Sequence, residues 1–87
     1  MFVILCYDVG SKRVSKVMKK VSKYLRSVQE SVFEGYLTEK QVHSLKMEIR
    51  DLIDPDEDSV ILYKYIPGLS LKKDEIGIRR NADPTFL

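Results

Sequence analysis

Phe2 to Tyr7 (FVILCY) is apolar at every position, so no alternation separates one face from the other. That is the pattern of a central strand covered on both sides. Asp8 ends the run, and DVGS follows as a turn and helix start with Gly10 or Ser11 as the expected N-cap. Apolar residues then recur at Val14, Val17, Met18, Val21, Tyr24 and Leu25, the spacing of an amphipathic helix. The stretch SVQESVFEGYL (27–37) is rich in β-branched and aromatic residues and reads as one strand or two. Val28 and Val32 share a parity that Phe33 breaks, which calls for a bulge or burial on both sides. Thr38 and Gln41 fit a capping box, and Val42, Leu45, Ile49, Leu52 and Ile53 continue as a second amphipathic helix. DPDEDS (54–59) is a turn, and VILYKYI (60–66) is a strand that stops before Pro67. PGLSLKKDE (67–75) reads as a loop and IGIRRN (76–81) as a short final strand.

This order predicts an α+β fold, a ferredoxin-like βαββαβ sandwich with two helices on one face of an antiparallel sheet. With 87 residues there is room for one core, so 1–87 is a single domain. The helices cover one sheet face, yet the first strand is apolar on both. The other face needs a cover, and a second copy of the chain is the simplest one.

A composition of 44% hydrophobic and 32% charged residues is that of a globular chain and excludes disorder. No apolar run approaches the roughly 20 residues that span a bilayer, and the start lacks the pattern of a secretory signal. No membrane partner is expected, and a cytoplasmic location is. The single cysteine, Cys6, rules out an internal disulfide and reads as a small core residue.

The net charge of +2 hides an uneven distribution. Lys12, Arg13, Lys16, Lys19, Lys20, Lys23 and Arg26 follow one another with no acid between them. Lys12, Lys16, Lys19, Lys23 and Arg26 are spaced four, three, four and three apart, one stripe on a continuous helix. Without acids such a stripe gains no internal ion pairs. It reads as a surface for nucleic-acid backbone, with a solvated helix face as the alternative.

Asp8, by position alone, is a strand-end residue that forms an Asx-turn or caps a helix. One carboxylate holds Mg²⁺ weakly, whereas two copies meeting across a symmetry axis would do better. Tyr7 reads as packing with a hydroxyl able to orient water or phosphate. Phe33 and Tyr36 read as buried strand residues or base-stacking platforms. His43 has no companion at ligand spacing and reads as a surface residue. There is no Ser-His-Asp set, P-loop or Gly-rich dinucleotide turn.

A strand ending YD, a basic first helix and then VQESVFEG resembles the second CRISPR-associated core protein, the small partner of the CRISPR integrase. The likeness runs over nearly the whole chain, including the late IGIRR. It implies a symmetric homodimer in which residues 67–87, a loop plus C-terminal strand or tail, pack on the partner's sheet. It also implies that Asp8 of two subunits, with Tyr7 beside it, shares Mg²⁺ or Mn²⁺ for endonuclease cleavage of single-stranded RNA or duplex DNA. Arg13 matches a basic position early in the first helix, and Ser31 and Phe33 match the second-strand motif. Some members carry a cation just before VQ, where this chain has Ser27 and, one place earlier, Arg26. Two other functions stay open on these residues: a non-catalytic DNA scaffold bridging integrase dimers in spacer acquisition, and a toxin-like RNase of the virulence-associated protein D type.

Overall fold

Strand β1 (Phe2–Asp8) lies at the centre of a five-stranded sheet with the order β2-β3-β1-β4-β5 in the computed structural model, which describes residues 1–68 and 71–78. Along the chain it is followed by α1 (Val14–Val21), β2 (Arg26–Gln29), β3 (Val32–Tyr36), α2 (Glu39–Leu52), β4 (Ser59–Tyr65) and β5 (Leu71–Gly77). All neighbouring strands are antiparallel, and the first six elements have the ferredoxin-like order.

The two faces of β1 have different fates. Val3, Leu5 and Tyr7 point to the helices and are buried with Leu62 and Val60, their neighbours or near neighbours on β4. Val17 and Val21 of α1 and Val42, Leu45 and Ile49 of α2 complete this core. Phe2, Ile4 and Cys6 face the other way, in register with Tyr65, Tyr63 and Ile61 of β4. They are half-buried, and Tyr36 and Tyr65 at one end of this face are exposed. Among the described residues no helix covers it. Cys6 thus sits on the open face rather than in the core, with its thiol pushed up by partial burial.

Several local expectations change. SVQESVFEGYL divides into two strands, β2 and β3, turning at Glu30 and Ser31, and the expected bulge appears as a register shift between Ser27 and Gln29. The capping box of α2 forms as predicted: Thr38 Oγ1 accepts from the Gln41 N–H at 3.1 Å, and the Gln41 side chain accepts from the Thr38 N–H at 2.8 Å. The expected loop 67–75 is largely strand, because Leu71–Gly77 pairs with β4 along its whole length. Of the expected final strand IGIRRN, only Ile76 and Gly77 belong to β5; 79–81, like the rest of the tail to 87, lie outside the described residues.

Helix α1 is also shorter than its apolar pattern suggested, ending at Val21 with Tyr24 and Leu25 in the connection to β2. Neither Gly10 nor Ser11 caps it by side chain. Arg13 occupies the cap position without a side-chain cap bond, and the Gly10 carbonyl accepts from Arg13 and Val14.

Candidate nucleic-acid interface and strand-end acid

Asp8 closes β1 opposite Ser59 and is exposed on the open face. Tyr7 points the other way, because successive strand side chains alternate. Its ring is only 8% exposed and stacks on Phe33, with ring centres 6.0 Å apart. Burial, and then the charge of Glu30, pushes its phenol up. The Tyr7 N–H donates to the Ser31 carbonyl at 3.1 Å, which ties the turn of the β2–β3 hairpin to the end of β1. The Tyr7 and Phe33 rings therefore meet behind the sheet, with Ser31 joined to Tyr7 through the backbone, while Asp8 stands in front of it.

The loop after Asp8 is held from far along the chain. Asp58, fully buried in the α2–β4 connection, accepts at each carboxylate oxygen from two donors. Oδ1 takes the Gly10 N–H at 2.9 Å and Arg13 Nη2 at 3.0 Å; Oδ2 takes Arg13 Nε at 2.6 Å and the Asp54 N–H at 2.8 Å. The Arg13 bonds lead in holding the Asp58 carboxyl far below the usual carboxylate range; burial opposes them and the Gly10 and Asp54 amides assist. Asp58 so fixes the loop that leads into α1, by its Gly10 amide and its Arg13 side chain, without capping an N–H of the helix itself. Its own carbonyl accepts from the Ile78 N–H at 2.8 Å, which ties the exit of β5 to the same point.

This clamp and two further ion pairs divide the run of seven cations between Lys12 and Arg26. Arg13 is engaged by Asp58 and, at 3.4 Å, by Glu57, so its guanidinium serves the loop. Lys20 reaches across to Glu48 of α2 at 3.1 Å, and Tyr24 donates to the same carboxylate. Arg26 lies on the edge strand β2, paired with Glu34 at 3.1 Å. Lys16 and Lys19 are on α1, with Lys12 in the turn before it and Lys23 in the turn after it. These four lysines are exposed and, among the described residues, are in no ion pair. The stripe is a patch of four lysines around a two-turn helix.

Among the described residues no three His, Cys, Asp or Glu side chains gather to hold a metal ion. Asp8 belongs to no such group among the described residues, so a divalent cation there would need ligands from water or a second molecule as well. His43 is exposed, as its isolation in the sequence suggested. No described helix is long and apolar enough to cross a membrane.

The residue that sequence reasoning passed over is Asp58. Four acids in the six residues DPDEDS look like a solvated turn, and nothing in their spacing distinguishes the one that is buried. Lys64 did carry a signal, as a lone cation inside the apolar VILYKYI; it pairs with Asp74 at 2.7 Å.

A profile of the family described as CRISPR associated protein Cas2 matches residues 1–68. A CRISPR-associated endoribonuclease Cas2 from Dictyoglomus turgidum is 41% identical over 87 residues, covering 100% of both chains. The CRISPR-associated endoribonuclease Cas2 2 of Archaeoglobus fulgidus is 38% identical over 79 residues, 91% of this chain and 86% of its own length. The crystal structure of Streptococcus pyogenes Cas2 superposes with a TM-score of 0.70 at 31% identity, covering 78% of this chain and 89% of that one. Profile, near-full-length relatives and fold agree, and the chain belongs to the CRISPR-associated Cas2 family.

Proposed function

We propose that the chain acts as a homodimeric, metal-dependent endonuclease in CRISPR adaptation, with two copies meeting on their open sheet faces. The observation that carries this reading is the position of Asp8, exposed at the end of a central strand on an apolar face without a helix over it. Burying that face against its mate would remove half-buried Ile4, Cys6, Ile61 and Tyr63 from water and bring two Asp8 carboxylates toward one axis. Mg²⁺ or Mn²⁺ held between them would polarise a phosphodiester and generate a hydroxide nucleophile. Tyr7 packs behind this strand end and Arg13 positions the loop beside it. The relatives named endoribonucleases favour RNA as the substrate.

Lys12, Lys16, Lys19 and Lys23 would hold the backbone without reading bases. The same patch supports a second reading, a non-catalytic scaffold that holds duplex DNA between integrase subunits. Cleavage of single-stranded RNA and duplex DNA by wild type and Asp8→Asn, with and without Mg²⁺ or Mn²⁺, separates the two. Loss of metal-dependent cleavage in Asp8→Asn, with mass and nucleic-acid binding unchanged, is the expected result. Equal cleavage by both proteins would sink the catalytic role. Lys16→Glu with Lys19→Glu should flatten the salt dependence of binding, since each lost phosphate contact removes about 0.9 from the slope on duplex DNA.

A further inference from the structure

A cleft of about 490 Å³ opens between α2 and the β4–β5 hairpin, on the helix side of the sheet. Its size is within the ordinary range for small-molecule sites. Val42, Ile66 and Met1 give it an apolar lining, and Lys46, Lys64 and Lys72 supply the cations. Lys46 and Lys64 place their ammonium groups 2.9 and 2.7 Å from one and the same oxygen, Oδ2 of Asp74. Both lysine side chains are about four-fifths buried (20% and 21% exposed), and both line the cleft whereas Asp74 does not.

One carboxylate thus stands behind two ammonium groups and neutralises one of them. Each ammonium has three donors, and a single shared oxygen accepts one from each. Lys72, in register beside Lys64, is exposed and in no ion pair among the described residues. Glu39 is the acid that lines the cleft, against these three lysines. The surplus of positive charge beside an apolar wall fits a compact anion carried on a flat, weakly polar body.

We propose that this cleft is a binding site for a nucleotide phosphate, with Lys46, Lys64 and Lys72 on the phosphate and Val42 and Ile66 against the base or sugar. Ammonium groups bind phosphate as point charges, which suits three lysines converging from a helix and two strands. The site is separate from the α1 lysines and does not depend on whether phosphodiesters are cut. A free nucleoside monophosphate and the terminal phosphate of a strand present the same chemistry.

The test is calorimetric and NMR titration of the intact protein with AMP, adenosine, inorganic phosphate, a 5′-phosphorylated trinucleotide and a hexaglutamate peptide. AMP should bind saturably and shift the amides of Val42, Lys46 and Ile66, with adenosine and phosphate each weaker by about tenfold or more. Lys64→Gln and Lys72→Gln should each weaken AMP by a similar factor, while Arg50→Gln in the last turn of α2, exposed and outside the cleft, leaves it unchanged. Lys72→Gln guards against a folding defect, because that side chain is exposed. A trinucleotide binding tighter than AMP at the same amides assigns the site to strand ends, and the reverse assigns it to free nucleotides; either supports the proposal. Absence of saturable AMP binding at millimolar concentrations, equal loss in Arg50→Gln, or hexaglutamate binding as tightly as AMP would overturn it.

Discussion

Replacing Asp58 by asparagine keeps the side chain's shape and removes its charge, and the bonding pattern makes this change severe. Each oxygen of Asp58 accepts from two donors, Gly10 N–H and Arg13 Nη2 on one, Arg13 Nε and Asp54 N–H on the other. An asparagine can present its carbonyl to one of these pairs only. In either orientation its amide NH₂ faces two other donors, one of them a backbone N–H. A buried donor without an acceptor costs about 1–3 kcal/mol, and the surviving Arg13 bond loses part of its charge assistance. Arg13 keeps 25% of its side chain in solvent and recovers some hydration, which lowers the total. The expected loss is about 2–4 kcal/mol, comparable to that for Asp58→Ala. Urea unfolding at fixed protein concentration measures it, and thermal unfolding should show a fall in Tm on the order of 8–30 °C. A loss below about 1 kcal/mol would refute the reasoning, because an amide would then satisfy a site built for four donors.

Acid should weaken the fold through the same group and its neighbours. The carboxyls of Asp58, held low chiefly by Arg13, and Glu48, held low by Tyr24 and then Lys20, lie below their unfolded values. Burial pushes Asp74 the other way, but Lys64 and Lys46 outweigh it. A lowered carboxyl stabilises the fold fully above its unfolded value, near 4, and that contribution is lost as pH falls through the folded value. The urea midpoint should be flat from neutrality to about pH 5 and fall below about pH 4, less steeply in Asp58→Asn; an unchanged slope in the variant would remove Asp58 from the account. Gly77→Ala should destabilise by more than about 1 kcal/mol in the same assay. Its φ of +87° disfavours a side chain, and a Cβ there would run into the Asp58 carbonyl oxygen. A stability equal to wild type would mean that β5 does not seat against Asp58 as described.

The fold was readable where periodicity and local chemistry agreed. FVILCY, the heptad-like spacing from Val42 to Ile53 and the Thr38–Gln41 box each announced their elements, because burial and capping there depend on near neighbours. β5 was not readable: LKKDEIG places charges on both faces, and only the backbone pairing offered by β4 makes it a strand. The strand-end position of Asp8 was legible from the YD step. The division of the seven cations was not, because it depends on where α1 stops and on a carboxylate 45 positions beyond Arg13. Family likeness pointed to Arg13 as a basic position of interest, and its partner Asp58 explains what holds it there.

That long-range clamp also bears on the order in which the molecule assembles. An eight-residue helix with no side-chain cap of its own is a poor nucleus, since helix initiation is costly and short segments are marginal in water. α2, with fourteen residues and a closed capping box, needs no distant residue to begin. The start of α1 becomes secure only after the chain has passed through α2 and turned into β4, bringing Asp58 to Gly10. Segment 8–13, which carries the strand-end acid, therefore depends for its final shape on the junction between α2 and β4 rather than on its own sequence.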